Sequence, residues 1–315
     1  MTKMNTRLKE FKAGMQPALK ELKFSLLKLK KSPLSIAGIA IISFYVVIAL
    51  LAPILAPTHP GDDPFMIWKD GFLQIPKPPS EKHPFGTTKG QYDIFYGCIW
   101  GTISAFRVGI WVTFTALVIG LAVGILAGFY GGIVDELMMR FTDIILAFPG
   151  LILAMALVAV LYPAVARADA VLLALVLVGW PGYTRVIRGE VLRVKTEDYV
   201  EAAKAVGCSD LRTIFKHIVP NSIYPILIIA SLDIGSIVLT VAALSFLGLG
   251  PPEGYADWGQ LIAFSRNFII ASPKDPFKYW YTFIIPGLFI FTFVLGWNLL
   301  GDALRDILDP TLRRK

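Results

Sequence analysis

Residues 34–56 read LSIAGIAIISFYVVIALLAPILA, a run without one charged side chain. A bilayer core takes about 20 apolar residues as a helix, because every backbone polar group must be satisfied within the segment. This run meets that demand, and outward from it the chain repeats the pattern. Further apolar blocks lie near Val108 to Tyr130, Ile144 to Pro163, Ala170 to Val186, Pro220 to Gly248 and Tyr279 to Leu300. The block at Ala170 has the shortest charge-free run and ends in Pro181-Gly182, which predicts a broken or tilted end rather than a clean exit. Composition agrees with membrane insertion. Of 315 residues, 55% are hydrophobic and 17% charged, against roughly 45–50% and 25% in soluble domains. The fold class is an all-α integral membrane protein with six transmembrane helices.

Basic residues near span ends concentrate on the cytoplasmic side. With the N-terminus inside, the cytoplasmic segments hold 21 of the 30 Lys and Arg residues and the outside segments hold 9. Both termini are therefore expected in the cytoplasm of a multi-pass protein of the cell membrane. The basic lead is too long for a signal-peptide n-region, so the first block is read as a retained span. In that lead Leu8, Phe11, Met15, Leu19, Leu22, Leu26 and Leu29 recur at spacings of three and four. Such a stripe fits a helix lying on the inner leaflet, or one packed on a partner. The chain divides into an amphipathic segment at 1–33, the first span at 34–56, an external loop at 57–106, a five-helix core at 107–302 and a tail at 303–315. The external loop carries seven prolines between Pro57 and Pro84, which predicts extended chain rather than a second folded domain.

The long polar stretch of the core lies at 188–219. Thr196 can cap a helix whose first turn holds Glu197 and Asp198, favourable against the N-terminal dipole. Tyr199, Ala202, Ala203 and Val206 then share one face, and Glu201 and Lys204 can pair at i, i+3 on another. Gly207 stops the helix, since the left-handed position after a last turn favours a residue without Cβ. Ser209 can cap a second helix running to Pro220. A short helix with an alanine face lets another surface approach closely. Partner docking and internal packing both fit that pattern.

The stretch Glu201-Ala202-Ala203, three residues, Gly207, then Pro220 resembles the Glu-Ala-Ala loop of permease subunits of bacterial and archaeal ATP-binding-cassette importers. Ala52-Pro53, His83-Pro84-Phe85-Gly86-Thr87, Gly128-Phe129-Tyr130-Gly131-Gly132, Ala147-Phe148-Pro149, Gly179-Trp180-Pro181-Gly182-Tyr183, Leu244-Ser245-Phe246-Leu247-Gly248-Leu249-Gly250 and the run from Asn298 to Asp306 are similar to the second permease subunit of dipeptide and oligopeptide importers. After Gly86-Thr87 most of that family has a Gly-Arg-Asp-x-x-Ser-Arg run, whereas this chain has Lys89 to Phe95, a departure that bears on substrate. The resemblance implies a type I importer permease fold with a cytoplasmic coupling helix formed by Tyr199, Glu201, Ala202, Ala203, Lys204 and Gly207. It also implies the partners: a second permease subunit, two ATPase subunits that hold ATP and magnesium, an extracytoplasmic substrate-binding protein, and the lipid bilayer. Nucleic acid is not among them.

The chain has no GxxxxGK[ST] phosphate loop, no GxSxG motif, and no His or Cys at metal-ligand spacing. Cys98 and Cys208 stand far apart without a CxxC pattern. No catalytic residue, cofactor or metal is assigned to the chain, and it is read as a non-enzyme. Asp233 is the one ionisable residue deep within a span, where an unpaired charge costs at least ~2.5–3.5 kcal/mol. It belongs to a translocation pathway or a subunit contact, or else it sits beside an internal kink of a long span. Peptides are the substrate class expected, with oligosaccharides as the alternative. An autonomous channel or gradient-driven transporter is the rival from another class, and the halves show no matched broken helices in its favour.

Overall fold

The computed structural model describes residues 32–59, 61–268 and 277–308. The stripe from Leu8 to Leu29 and the tail beyond 308 lie outside the described residues. Ser32 caps the first helix, α1 (Pro33–Leu55), its Oγ accepting from the Ser35 amide at 3.4 Å, with Pro33 in the first turn where a missing N–H costs nothing. The next helix, α2 (Ile94–Tyr130), has 37 residues. It begins well before Val108, so the segment 57–106 is irregular only to Asp93. Two causes extend it. Asp93 accepts from the Tyr96 amide at 2.7 Å as N-cap. Gly97 and Gly101 let Ile67, Leu261 and Trp258 press against the added turns.

The third apolar block, Ile144 to Pro163, straddles a break: it starts in the last turn of one helix and continues as the next. α3 (Gly132–Leu146) and α4 (Gly150–Leu161) meet at 89°, because Pro149 forces its predecessor out of the helical region. The fourth block differs in the opposite sense: α5 (Arg167–Lys195) runs unbroken through Pro181. Packing along its whole length on α2 outweighs the roughly 3 kcal/mol that an internal proline costs. Gly120, Gly124 and Gly128 of α2 face Tyr183, Ile187 and Val191 of α5 so closely that a Cβ at Gly124 would sit 1.8 Å from Ile187 Cγ2 and 2.8 Å from the Thr184 carbonyl.

The short helices α6 (Asp198–Ala205), α7 (Asp210–Thr213) and α8 (Val219–Ser222) follow, with a π-helical turn at Ile214–Ile218 between the last two. α9 (Tyr224–Phe246), α10 (Trp258–Phe264) and α11 (Tyr281–Leu308) complete the bundle. Among the described residues there is no β-strand. Isolated bridges at Met66–Tyr255, Lys69–Tyr92 and Thr87–Asp93 pin the proline-rich loop.

Contacts at the two ends of α5 orient the bundle. Arg167, its first residue, donates to the carbonyl of Gly248 beyond α9. Lys195, its last, donates to the Phe129 carbonyl near the end of α2 at 2.6 Å. The ends of α5 thus lie at opposite faces, and the bent pair α3–α4 must cross between them. With the bent pair counted as one, the described residues make six crossings, which places residues 61–93 and 249–268 on one face, hereafter the loop face. Residues 196–223 lie on the other, the hinge face, together with the start of α1 and the end of α11. The loop-face core joins Tyr45, Ile94, Trp100, Trp258, Leu261 and Phe293. Tyr45 donates to the Phe289 carbonyl at 2.9 Å, which ties α1 to α11. A second core at the hinge face joins Phe129, Ile187, Val191, Val200, Ile214 and Ile218.

Candidate functional site

At the hinge face, α6 closes in a Schellman motif. The Cys208 amide donates to the Ala203 carbonyl at 3.0 Å and the Gly207 amide to the Lys204 carbonyl at 2.9 Å. Gly207 sits at φ +83°, where a Cβ is strained although nothing lies within 4 Å of it. The N-terminal cap differs from the one expected. Glu197 occupies the N-cap position, and Thr196 instead donates to the Arg193 carbonyl at 2.9 Å, because it still belongs to the last turn of α5. Ser209 stands at the N-cap of α7 without a side-chain bond to the helix.

The side chains of α6 divide sharply. Val200 is fully buried in the hinge-face core, while Glu201, Ala202 and Lys204 are exposed, Tyr199 is 43% exposed and Val206 is 85% exposed. Ala203 is half-buried. Glu201 and Lys204 do not pair: the Lys204 ammonium lies 5.0 Å from the centre of the Phe129 ring. The aromatic face outcompetes an exposed i, i+3 ion pair, which contributes only a few tenths of a kcal/mol, roughly. Glu201 is thereby left with its carboxylate in solvent beside two alanines. Just behind, Arg188 grips Asp135 with two bonds, at 2.5 and 2.6 Å, locking α5 to α3.

The second element is a cavity of about 380 Å³ within the bundle, walled by α2, α4, α5 and α9. Asp233 lines it together with Tyr183, Ser236 and Thr240. The Tyr183 hydroxyl is buried and has no hydrogen-bond partner among the described residues. Asp233 thus borders this cavity among hydroxyl-bearing side chains, and Gly150 and Gly179 lie in the same lining.

A family model described as a binding-protein-dependent transport system inner membrane component matches residues 120–314. The chain belongs to this family of membrane permease components. A second model, the N-terminal transmembrane domain of oligopeptide transport permease C, matches residues 24–76. The dipeptide transport system permease protein DppC of Alkalihalophilus pseudofirmus is 39% identical, covering 91% of this chain and 88% of its own. The oligopeptide transport system permease protein OppC of Bacillus subtilis is 34% identical, over 93% and 90% respectively. A solved chain titled as an amino acid ABC transporter with histidines aligns over 70% of this chain and 94% of its own, with 17% identity and a TM-score of 0.46.

Within this permease, the sequence-derived residues fall into two groups. Tyr199, Glu201, Ala202, Ala203, Lys204 and Gly207 come together on one short helix. Asp233 stands apart, in the bundle. Sequence reasoning missed the anchors of both sites: Val200 and Phe129 beneath α6, and Tyr183 beside Asp233. The signal for Val200 was present, since it is the large aliphatic residue between Tyr199 and the alanines. The partnership of Phe129 with Lys204 crosses from one hairpin of the fold to another and leaves no trace in periodicity.

Proposed function

We propose that this permease forms, with a second permease subunit, the pathway of an ATP-binding-cassette importer for di- and oligopeptides, with both termini in the cytoplasm. The observation that carries this reading is the extent of identity, over 91% and 93% of this chain, with permeases named for dipeptide and oligopeptide transport. A relative named for glutathione transport is 37% identical over 75% of this chain, and these names favour peptides over oligosaccharides. The hinge face is then cytoplasmic, and α6 is the coupling helix received by an ATPase subunit. Two ATPase subunits hold ATP and magnesium, and an extracytoplasmic binding protein delivers substrate at the loop face. Closure of the ATPases pushes α6, and the buried Val200 passes the push into the bundle. The cavity at Asp233 then changes its access from one face to the other.

Reporter fusions after Lys89 and after Lys204 should fall on opposite sides of the membrane, the second in the cytoplasm. Gly207→Val and Glu201→Arg should insert normally yet lose ATPase copurification. The first forces a β-branched residue into φ > 0, a strain of about 1–3 kcal/mol, and the second reverses the charge at the exposed face. Normal ATPase capture and substrate-stimulated hydrolysis in both variants would overturn the docking role.

A further inference from the structure

A second cavity, of about 430 Å³, opens at the loop face. Four cationic side chains converge on it from separate parts of the fold: Lys69 and Lys89 from the proline-rich loop, Arg167 from the start of α5, and Arg266 from the turn after α10. One carboxylate, Glu253, shares the lining, and it is already engaged by the Tyr92 hydroxyl at 2.9 Å and by Lys69 at 3.8 Å. Among the described residues, Lys89, Arg167 and Arg266 form no ion pair. Arg167 is held in place by the Gly248 carbonyl and by the Tyr162 ring, 5.4 Å from its guanidinium carbon. One wall is aromatic, with Tyr92 and Phe264 stacked at 4.5 Å and 9°.

We propose that this cleft receives the carboxylate end of a peptide substrate at the loop face, an assignment that rests on the peptide reading above. Its volume is that of a small-molecule site, and its concavity sets it apart from a flat protein-docking patch. Surplus positive charge selects a carboxylate, guanidinium geometry suits its two oxygens, and the aromatic wall offers a face for the neighbouring side chain. A separate cavity on the same helix matches this polarity. Helix α9 lines this cleft with Ser245 and Phe246 and the bundle cavity with Asp233, Ser236 and Thr240. Cations at its loop end and a carboxylate further in present the reverse of the charge pattern of a zwitterionic peptide, whose amine leads toward Asp233 while its carboxylate is held behind.

The test uses the assembled importer in vesicles, irradiated with the tripeptide Ala-Ala-benzoylphenylalanine as free acid and as C-terminal amide. The free acid should label the segments at 248–254 and 263–267, and the amide about tenfold less, the factor expected for loss of a charge-assisted contact. Lys89→Gln with Arg266→Gln should reduce free-acid labelling to the amide level, and Lys89→Arg with Arg266→Lys should restore it. Equal labelling by acid and amide, label placed outside the cleft, or labelling unchanged in the glutamine variant overturns the proposal. So does cleft labelling that disappears when phosphatidylglycerol replaces phosphatidylcholine, which would assign the cations to lipid headgroups. Loss of binding-protein capture with labelling unchanged would assign them to that partner instead. Uptake of the radiolabelled free acid is followed in the same vesicles. Uptake without cleft labelling removes this site alone, whereas absence of uptake in the unaltered importer removes the peptide reading and the site with it.

Discussion

Lys195 donates from Nζ to the carbonyl oxygen of Phe129 at 2.6 Å, and so joins the last turn of α5 to the last turn of α2. That carbonyl is one of the four that a helix C-terminus leaves without an internal partner, and a cation there also meets the negative end of the helix dipole. Lys204 of α6 faces the ring of the same phenylalanine. Three helices therefore meet on one residue. Phe129→Leu keeps an apolar side chain and removes the aromatic face. It should insert normally while the ratio of substrate moved to ATP hydrolysed falls about two- to fivefold, matching a cation–π loss of about 0.5–1 kcal/mol. An unchanged ratio would exclude Phe129 from the link between α6 and the bundle.

Gly124→Ala should destabilise the permease by about 1–3 kcal/mol or more, the usual range for overpacking a close contact. The new methyl group would meet both Ile187 and the backbone of α5, and the backbone cannot turn aside. Gly189→Ala, on the same helix pair but with nothing within 4 Å of the new Cβ, is the matched control. Thermal melting of the detergent-solubilised protein, or its yield in the membrane fraction, should separate the two. Equal melting temperatures would contradict the close approach of α2 and α5.

A cysteine in place of Asp233, in a background lacking Cys98 and Cys208, should react with a water-soluble thiol reagent in at least one nucleotide state, because the residue lines a cavity with polar neighbours. Asp233→Leu should lower uptake of a peptide with a free amine. Absence of labelling in every state, joined to normal uptake by the leucine variant, would place Asp233 outside the pathway.

The loop face should respond to acid in a defined window. Asp70 is pulled from the ordinary 3.8 to about 2 by its hydrogen bonds to Lys82 and His83. The Lys82 bond is 2.7 Å long and the His83 Nε2 contact is 3.0 Å. Because the folded value lies below the unfolded one, the contribution of Asp70 is present above about pH 4 and is lost as pH falls toward 2. The ring centre of Trp68 lies 5.8 Å from that of His83, and Trp68 reports on the same proline-rich loop. Its fluorescence should change across that window, and Asp70→Asn should remove the transition.

How far the sequence carries depends on whether a feature is local. The apolar runs of α1, α9 and α11 are self-contained, and their places could be read directly. The start of α2 could not be, because residues 94–106 carry two glycines and a polar flank that look like loop until Ile67, Leu261 and Trp258 arrive from elsewhere in the chain. Two prolines with equal local weight have opposite outcomes. Pro149 ends a helix whose exposed flanks offer nothing to hold it straight, while Pro181 lies in a helix held along its whole length by α2. At the hinge face, Gly207 was legible because a Schellman turn needs a residue without Cβ. The choice between Thr196 and Glu197 as the cap was not, because two adjacent residues could each serve and tertiary packing of α5 decided it.

Helix α2 has 37 residues without a break, a length of about 55 Å at 1.5 Å per residue, nearly twice the roughly 30 Å of a hydrocarbon core. One end bears Phe129, where α5 and α6 meet. At the other end, the Cys98 carbonyl accepts the indole N–H of Trp258 at 3.1 Å. A straight rod pivoting near its middle moves its tips in opposite directions, so a tilt of about 10° displaces each by about 5 Å over that length. A push delivered at one face of the membrane thus arrives at the other as a swing of comparable size and opposite sense, with no intermediate joint in α2 to absorb it.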